Sequence, residues 1–207
     1  METNQYPYGA MMSDSQRREQ LIDTAIDLFA KHGFHATGID RILAVSGVSK
    51  KTLYRHFRSK DELILAALRK YDGLFRNNFM REVESRGTTP KERLLAVFDA
   101  ARAWFEDNSF YGCVFINAVG EFSDPDTPIR HICKEFKSLI RGYIEQQCRA
   151  LGVADAGALA EELSILLEGA TVTAQVSQNR GRAAEVAKTA ATVLIEKAMS
   201  ESGVAWP

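Results

Sequence analysis

Apolar residues recur along most of the chain at the three- and four-residue spacing of an α-helix. Leu21, Ala25 and Leu28 follow this spacing near the start, and similar stripes run through residues 94–105 and 129–144. Such spacing places apolar side chains on one face of a helix. The sequence contains no sustained alternation of apolar and polar residues, which would predict a strand. We therefore expect an all-α protein.

Prolines mark both the expected helix starts and the long uninterrupted stretches. Pro90 and Pro128 each follow a threonine, and proline is favoured as the first helical residue after such a cap. No proline interrupts residues 8–89 or residues 129–206, so long helices are permitted there. The pattern predicts about nine helices, over residues 15–32, 38–45, 49–56, 60–85, 90–108, 112–122, 128–151, 155–179 and 182–201.

Composition favours a folded chain over a disordered or membrane-spanning one. With 207 residues, 45% hydrophobic residues and a net charge of −1, the chain has enough apolar surface to bury a core. No apolar run reaches the roughly 18 residues of a membrane span, and the first residues lack the pattern of a secretory signal. We expect a cytoplasmic protein without membrane contact, in which residues 1–13 form a disordered leader.

Cysteines and histidines do not form a recognisable metal site. Cys113, Cys133 and Cys148 are widely spaced and odd in number, which fits neither a disulfide framework nor a CxxC motif. His32 and His35 flank a predicted helix end, so they need not share a face. We expect no metal and no cofactor. An all-α enzyme is the alternative class, but no nucleophile–base pair, phosphate loop or HExxH motif supports catalytic residues.

Basic residues are concentrated in one short segment. From Arg41 to Lys60 the chain holds six basic residues and no acidic one, whereas the remainder carries 20 basic and 27 acidic residues. A basic segment on an acidic body is typical of a surface that contacts nucleic acid. A solvated helix face is the alternative that charge alone leaves open.

Two short predicted helices flank this segment's only glycine. Ser46-Gly47-Val48 separates residues 38–45 from residues 49–56. Gly47 supplies the backbone freedom of a tight turn, and Val48 can fill the angle between the helices. Helix, glycine-containing turn and helix is the plan of a helix-turn-helix motif. The second helix would present basic and polar side chains outward.

The motif residues of this region fall in one register. They are Gly33-Phe34, Thr37, Ile39, Ile42, the run Ser46-Gly47-Val48-Ser49-Lys50-Lys51-Thr52-Leu53-Tyr54-Arg55-His56-Phe57 and the run Ser59-Lys60-Asp61-Glu62-Leu63. Over about residues 15–63 they resemble the DNA-binding domain of the TetR (tetracycline-repressor-like) family of transcriptional regulators. Gly38 and Leu43 depart from the usual family pattern, which often has Thr and Ala there. Because Gly38 carries no hydroxyl, we assign the phosphate contact of this turn to Thr37.

The resemblance implies a helix-turn-helix domain over residues 14–60 and an effector-binding and dimerisation domain over residues 61–207. It also implies a homodimeric repressor that binds a palindromic operator in double-stranded DNA and is released by a small, largely apolar or aromatic effector. A regulator that answers to a protein partner, or to no ligand, is the alternative that the sequence leaves open. The candidate DNA-binding residues are Thr37, Ser49, Lys50, Lys51, Thr52, Tyr54, Arg55, His56 and Lys60.

Aromatic and polar residues in the C-terminal part are candidates for an effector pocket. A mostly apolar cavity with a few polar anchors is the usual composition of a ligand site. The candidates are Trp104, Phe105, Cys113, Asn117, Glu121, Phe136 and Gln175. The aromatic residues can equally belong to the core, and Glu121 can simply be solvated. Cys113 can be a buried thiol or a sensor of electrophiles or oxidants.

Small and aliphatic residues form stripes on the last two predicted helices. One recognition helix contacts too few DNA base pairs to give a useful affinity, so we expect two half-sites and a dimer. Small residues let helices approach closely, as in a contact between protomers. The predicted interface residues are Leu163, Leu167, Ala170, Ala174, Ala187, Ala191, Leu194 and Ile195. The alternative is that these stripes pack only within one chain.

Overall fold

A computed structural model of the protein describes residues 12–204, which form nine α-helices and no strand. The all-α prediction is confirmed, and the helix boundaries lie close to the predicted ones. The helices are α1 (Asp14–His32), α2 (Ile39–Ser46), α3 (Lys50–His56), α4 (Lys60–Arg86), α5 (Pro90–Glu106), α6 (Val114–Glu121), α7 (Pro128–Leu151), α8 (Ala156–Val176) and α9 (Arg180–Glu201). Residues 1–11 of the predicted leader lie outside the described residues. Ser13, assigned to that leader, instead caps α1.

Side-chain caps fix the start of most helices. The Ser59 hydroxyl accepts a hydrogen bond from the Glu62 amide at 3.2 Å, which begins α4. Thr89 and Glu92 form a reciprocal capping box at the start of α5, directly before Pro90. These caps satisfy backbone donors that have no partner within the helix. The caps predicted at the threonines before Pro90 and Pro128 are therefore confirmed.

Among the first four helices, α1 packs against α4, and α2 and α3 pack against α1 and against each other. Their common core contains Leu21 and Phe29 from α1, Ile42 from α2, Leu53 from α3 and Leu63 from α4, all essentially inaccessible to solvent. Two ion pairs on the surface fasten α1 to α4. The Lys70 ammonium lies 2.8 Å from a Glu19 carboxylate oxygen and 2.6 Å from one of Asp23. Because α4 then runs on into the body, one helix joins both parts of the chain.

The body is a bundle in which α5 lies at the centre. α5 packs against α4, α7 and α9, and α8 packs between α7 and α9. Buried alanines such as Ala101, Ala184 and Ala191 keep these helices close together. Between residues 12 and 204, no helix combines the length and the apolar character needed to cross a membrane.

Candidate nucleic-acid interface

The turn between α2 and α3 has the geometry that its sequence predicts. Gly47 adopts φ 67°, in the left-handed region, and ends α2 with its amide donating to the Leu43 carbonyl at 2.9 Å. Val48 is buried between the two helices. The Ser49 hydroxyl caps α3 by accepting from the Thr52 amide at 3.2 Å. The helix-turn-helix prediction is confirmed in its geometry.

Two buried apolar residues determine which side of α3 faces outward. Leu53 and Phe57 are buried against the three-helix core. Lys50, Lys51 and Tyr54 therefore lie on the exposed side, and 48% of Tyr54 is accessible. The Lys50 ammonium is 3.5 Å from the exposed Asp40 carboxylate, a weak surface pair that DNA phosphates can displace. This side combines basic groups with a phenol, which suits phosphate and base contacts.

Some polar groups next to this surface already make hydrogen bonds within the protein, and others remain available to DNA. The Ser49 and Thr52 hydroxyl oxygens lie 2.9 Å apart, and the one that accepts in this pair keeps its own O–H free to donate to a phosphate. Lys60 donates to the His35 carbonyl at 3.4 Å, a long bond that leaves its charge free to interact. Gly38 begins α2 without a side-chain cap, so the first amides of α2 remain open to an anion such as a phosphate.

Thr37 does not contact DNA in the way the sequence suggested. It is completely buried, and its hydroxyl donates to the Gly33 carbonyl at 2.7 Å, with the Leu28 carbonyl at 3.3 Å. The hydroxyl is needed inside the protein because the Gly33 carbonyl, directly after the end of α1, has no helical partner. The prediction that this side chain reaches a phosphate is wrong.

His56 also turns away from the outer side of α3. Its side chain is only 12% exposed, and its Nε2 lies 3.2 Å from the Asp14 carboxylate at the start of α1. Burial, followed by the charges of Arg55 and Arg18, lowers the pKa of His56. Most of the His56 side chain is covered and its Nε2 lies beside Asp14, so the structure gives no support to His56 as a DNA contact, which stays a prediction. Arg55 pairs with the same Asp14 but stays exposed, and its contact with DNA remains a prediction.

Glu121 ties the corner between α1 and α2 to the body. One carboxylate oxygen accepts from the Phe34 amide at 2.8 Å, and the other accepts from the His35 amide at 2.6 Å and lies 3.0 Å from the His35 ring. A Cβ at Gly33, which has φ 84°, would come within 2.9 Å of the same carboxylate. We call this arrangement the Glu121 clamp. Burial pushes the pKa of Glu121 upward, but the hydrogen bonds from His35 and Phe34 outweigh it, and the pKa lies below its ordinary value.

The residues around the clamp secure the end of α6. The Phe122 ring packs against Phe34, with centroids 5.9 Å apart, and against His35 at 4.9 Å. Arg130 on α7 donates to the Val119 carbonyl at 3.1 Å. The clamp therefore joins α6, α7 and the helix-turn-helix module. Glu121 also borders an open surface cleft together with Asn117 and Gln175, so its role in an effector pocket stays a prediction. The clamp itself was not predicted, because Glu121 and His35 are 86 residues apart in the sequence.

Aromatic rings from four helices enclose a small cavity in the body. Its volume is about 30 Å³, the room of about one water molecule. The rings belong to Tyr71, Phe75 and Phe79 of α4, Trp104 of α5, Phe115 of α6 and Phe136 of α7. Phe115 and Phe136 are stacked with centroids 3.9 Å apart. Trp104, Phe136 and Cys113 line the cavity, and their contact with an effector stays a prediction.

Cys113 has the properties of a structural thiol. It is 4% exposed, and burial raises the pKa of its thiol, although the Lys137 ammonium 3.6 Å from Sγ acts in the opposite direction. Reactive thiols require a lowered pKa and access to solvent. Of the two interpretations left open by the sequence, the geometry favours the buried one.

Three other predicted pocket residues lie away from the cavity. Phe105 is fully buried behind Trp104, with the ring centroids 5.4 Å apart, and belongs to the core. Asn117 and Gln175 lie on an open surface cleft, where the Gln175 amide donates to the Asn117 side-chain oxygen at 2.9 Å. Asn117 and Gln175 do not line the aromatic cavity, and an effector role for them in the surface cleft stays a prediction.

The predicted dimer residues are largely used within the chain. Leu194 is half-buried, whereas the others are buried against neighbouring helices of the same chain: Leu163, Leu167, Ala170, Ala174, Ala187, Ala191 and Ile195. These residues therefore serve largely the fold of one chain. Ala170 and Ala187 also line a shallow groove between α8 and α9, and the place of the predicted set in a dimer interface stays a prediction. A different side of the same two helices is apolar and exposed. This outer face contains Ile165, Val172 and Val176 of α8, with Val186 and Val193 of α9.

A helix-turn-helix module carried by an all-α body with an internal cavity defines a DNA-binding transcriptional regulator. Two family models match the chain, that for bacterial regulatory proteins of the tetR family over residues 21–67 and that for the tetracyclin repressor-like C-terminal domain over residues 90–190. The chain belongs to the TetR family, as the sequence resemblance predicted.

Known relatives and structures agree with this assignment. The transcriptional activator FasR of Mycolicibacterium smegmatis is 37% identical over 111 residues, which are 53% of this chain and 50% of the relative. The chain spans only 33% and 50% of the first two curated relatives that it matches. A TetR-family regulator from Streptomyces coelicolor superposes with a TM-score of 0.82 and 28% identity, covering 89% of this chain and 96% of that one. A transcriptional regulator from Saccharomonospora viridis, solved in complex with choline, has a TM-score of 0.71 and 25% identity, covering 88% and 96%.

Proposed function

We propose that the protein is a homodimeric repressor that binds a palindromic operator and is released when a small effector enters the body. The observation that carries the proposal is the outer side of α3, where Lys50, Lys51 and Tyr54 are exposed on a helix anchored by buried Leu53. A recognition helix of this kind enters the major groove with its N-terminal residues near base edges. Such a regulator acts on chromosomal DNA in the cytoplasm.

The outer face of α8 and α9 supports the dimer. Five exposed aliphatic side chains lie there, and a shallow groove between the helices contains Gly169 and Ala190. Exposed aliphatic side chains beside such a groove favour an interaction site, and small residues permit close helix packing. In a two-fold dimer the same face of each chain meets its copy, so one apolar patch suffices. The two α3 helices would then address half-sites about one helical turn, or a multiple of it, apart.

The aromatic cavity supports effector control. It is lined by three residues of α4, which begins in the helix-turn-helix module, and by Phe115 of α6, which ends at the Glu121 clamp. Both helices therefore connect the cavity directly with the DNA-binding part. An effector shifts the operator equilibrium only if it binds one arrangement of these helices better than the other. The choline complex of the Saccharomonospora viridis regulator shows that a protein of this fold can hold a small molecule.

Selection of binding sites from a randomised duplex pool tests the proposal. We expect the purified protein to enrich an inverted repeat, because a two-fold dimer presents two identical recognition helices. The enriched DNA sequence also serves as the operator in binding measurements with variants. Failure of a folded protein to enrich any sequence would contradict the proposal, and enrichment of a single unrepeated element would contradict its dimeric part.

A further inference from the structure

One ion pair lies in the wall of the aromatic cavity. The Lys137 ammonium contacts both carboxylate oxygens of Glu168 at 2.6 Å and lies over the Phe136 ring, 5.5 Å from its centroid. The Lys137 and Glu168 side chains are 32% and 37% exposed, so the pair sits where the cavity meets solvent. Apart from this pair, the lining is predominantly aromatic and aliphatic. A ligand entering here would bury an apolar body and leave a polar end beside Lys137.

A basic groove adjoins the cavity on the outside. It shares Phe115 and Lys137 with the cavity lining, so these two residues separate the two spaces. Arg130, His131 and Lys134 of α7 also line the groove, while Asp126 is its only carboxylate among the residues that the structure describes. Lys134 and His131 are exposed, whereas the Arg130 guanidinium donates hydrogen bonds to the Val119 and Phe122 carbonyls at the end of α6. The groove thus offers more positive than negative charge.

We propose that the effector is an amphiphilic carboxylate, with an alkyl or aryl body in the aromatic cavity and its carboxylate in the basic groove. Lys137 would exchange Glu168 for the ligand carboxylate, and Lys134 would add a second cation. A cationic ligand would have to lie among Arg130, Lys134 and Lys137, which disfavours it. This inference rests on the proposed effector control and specifies the class of the effector.

The size of the cavity determines how such a ligand would act. A space of about 30 Å³ cannot hold an alkyl chain or a phenyl ring, so the rings that line it, such as the stacked Phe115 and Phe136, have to move when a ligand enters. The same space is bounded by Phe75 and Phe79, so the opening also displaces part of α4. Ligand entry would thereby move the helix that carries the helix-turn-helix module.

Matched ligands with one body and three head groups test this inference. The full chain is titrated with 4-phenylbutyrate, 4-phenylbutanol and 4-phenylbutylamine, and with nonanoate, nonanol and nonylamine below their micelle-forming concentrations. Thermal melting and release of the selected operator are measured in parallel. We expect at least one carboxylate to raise the melting temperature and to release the operator at about tenfold lower concentration than its alcohol or amine. An equal or stronger response to the alcohol or amine, or no response to either carboxylate, would overturn the inference.

Two charge-neutralising variants on α7 locate the head group. Lys134→Gln removes a groove cation from an exposed position and should weaken the carboxylate response about three- to tenfold. Arg141→Gln makes the equivalent change on an exposed residue of α7 outside the groove and should leave the response unchanged. Both variants should keep the unliganded melting temperature and operator affinity. Equal responses of the two variants would refute the groove assignment, whereas loss of operator binding by the unliganded wild type would refute the proposed function instead.

Discussion

Tyr54 is the aromatic residue that α3 presents to solvent beside two lysines. We expect Tyr54→Ala to weaken operator binding about tenfold or more without lowering the melting temperature, because Tyr54 is 48% exposed and is not part of the buried core. Fluorescence anisotropy with the selected duplex measures the affinity. Tyr111→Ala, which removes a similarly exposed tyrosine from the body, serves as the control. Unchanged affinity of Tyr54→Ala would remove this residue from the interface.

Thr37 shows how a motif position can be structural. Thr37→Val removes the hydroxyl that donates to the Gly33 carbonyl while keeping the side-chain volume. We expect a loss of about 1 kcal/mol in the free energy of unfolding, as for a buried hydrogen bond, and an unchanged operator affinity of the folded protein. Thr37→Ser, which retains the hydroxyl, should keep that hydrogen bond. Denaturant unfolding and anisotropy separate the two effects, and weaker binding at unchanged stability would reinstate the phosphate contact.

At the scale of elements, the Glu121 clamp connects α6 to the corner between α1 and α2. We expect Glu121→Gln to lower the free energy of unfolding by about 1–2 kcal/mol at neutral pH, because a charged acceptor of two amides is lost. Glu161→Gln, the same change at an exposed glutamate of α8, should have little effect. Urea unfolding followed by circular dichroism measures both variants.

The clamp also predicts a dependence on pH. Because the pKa of Glu121 is lowered in the folded protein, its stabilisation is complete above its ordinary pKa of 4.5 and is lost as the pH falls through the lower folded value. The difference in stability between the wild type and Glu121→Gln should therefore be constant near neutral pH and shrink below about pH 4.5. A difference that stayed constant into acid would show that the carboxylate charge does not stabilise the clamp.

The helices themselves could be predicted because their signals are local. A helix start depends on residues within one turn of it, such as the cap Ser59 at α4 or Pro90 at α5. The spacing of apolar residues within a helix is equally local. The clamp could not be predicted, since Glu121 and His35 are 86 residues apart and meet only through packing. The exposed apolar face of α8 and α9 was not predicted from the sequence for a different reason. Both helices carry apolar residues on two sides, and periodicity alone does not tell the inner side from the outer one.

At the scale of the whole molecule, the outer face of α8 and α9 is expected to join two chains. Val186→Glu places a charge at the centre of that face on an exposed position, so the variant should fold but remain monomeric. Sedimentation velocity measures the mass, and operator affinity should fall at least about a hundredfold as one half-site is lost. Leu139→Glu, on an exposed apolar residue of α7, should stay dimeric. A dimeric Val186→Glu variant would place the interface elsewhere.

The repressor model requires that two chains read one operator together, each with its own α3. Sedimentation equilibrium of the labelled operator duplex, with the protein in increasing excess, measures this stoichiometry directly. We expect two chains on the inverted repeat, and binding at least about a hundredfold weaker to a duplex that carries a single half-site. One chain on the operator, with equal affinity for the single half-site, would contradict the model of a two-fold dimer.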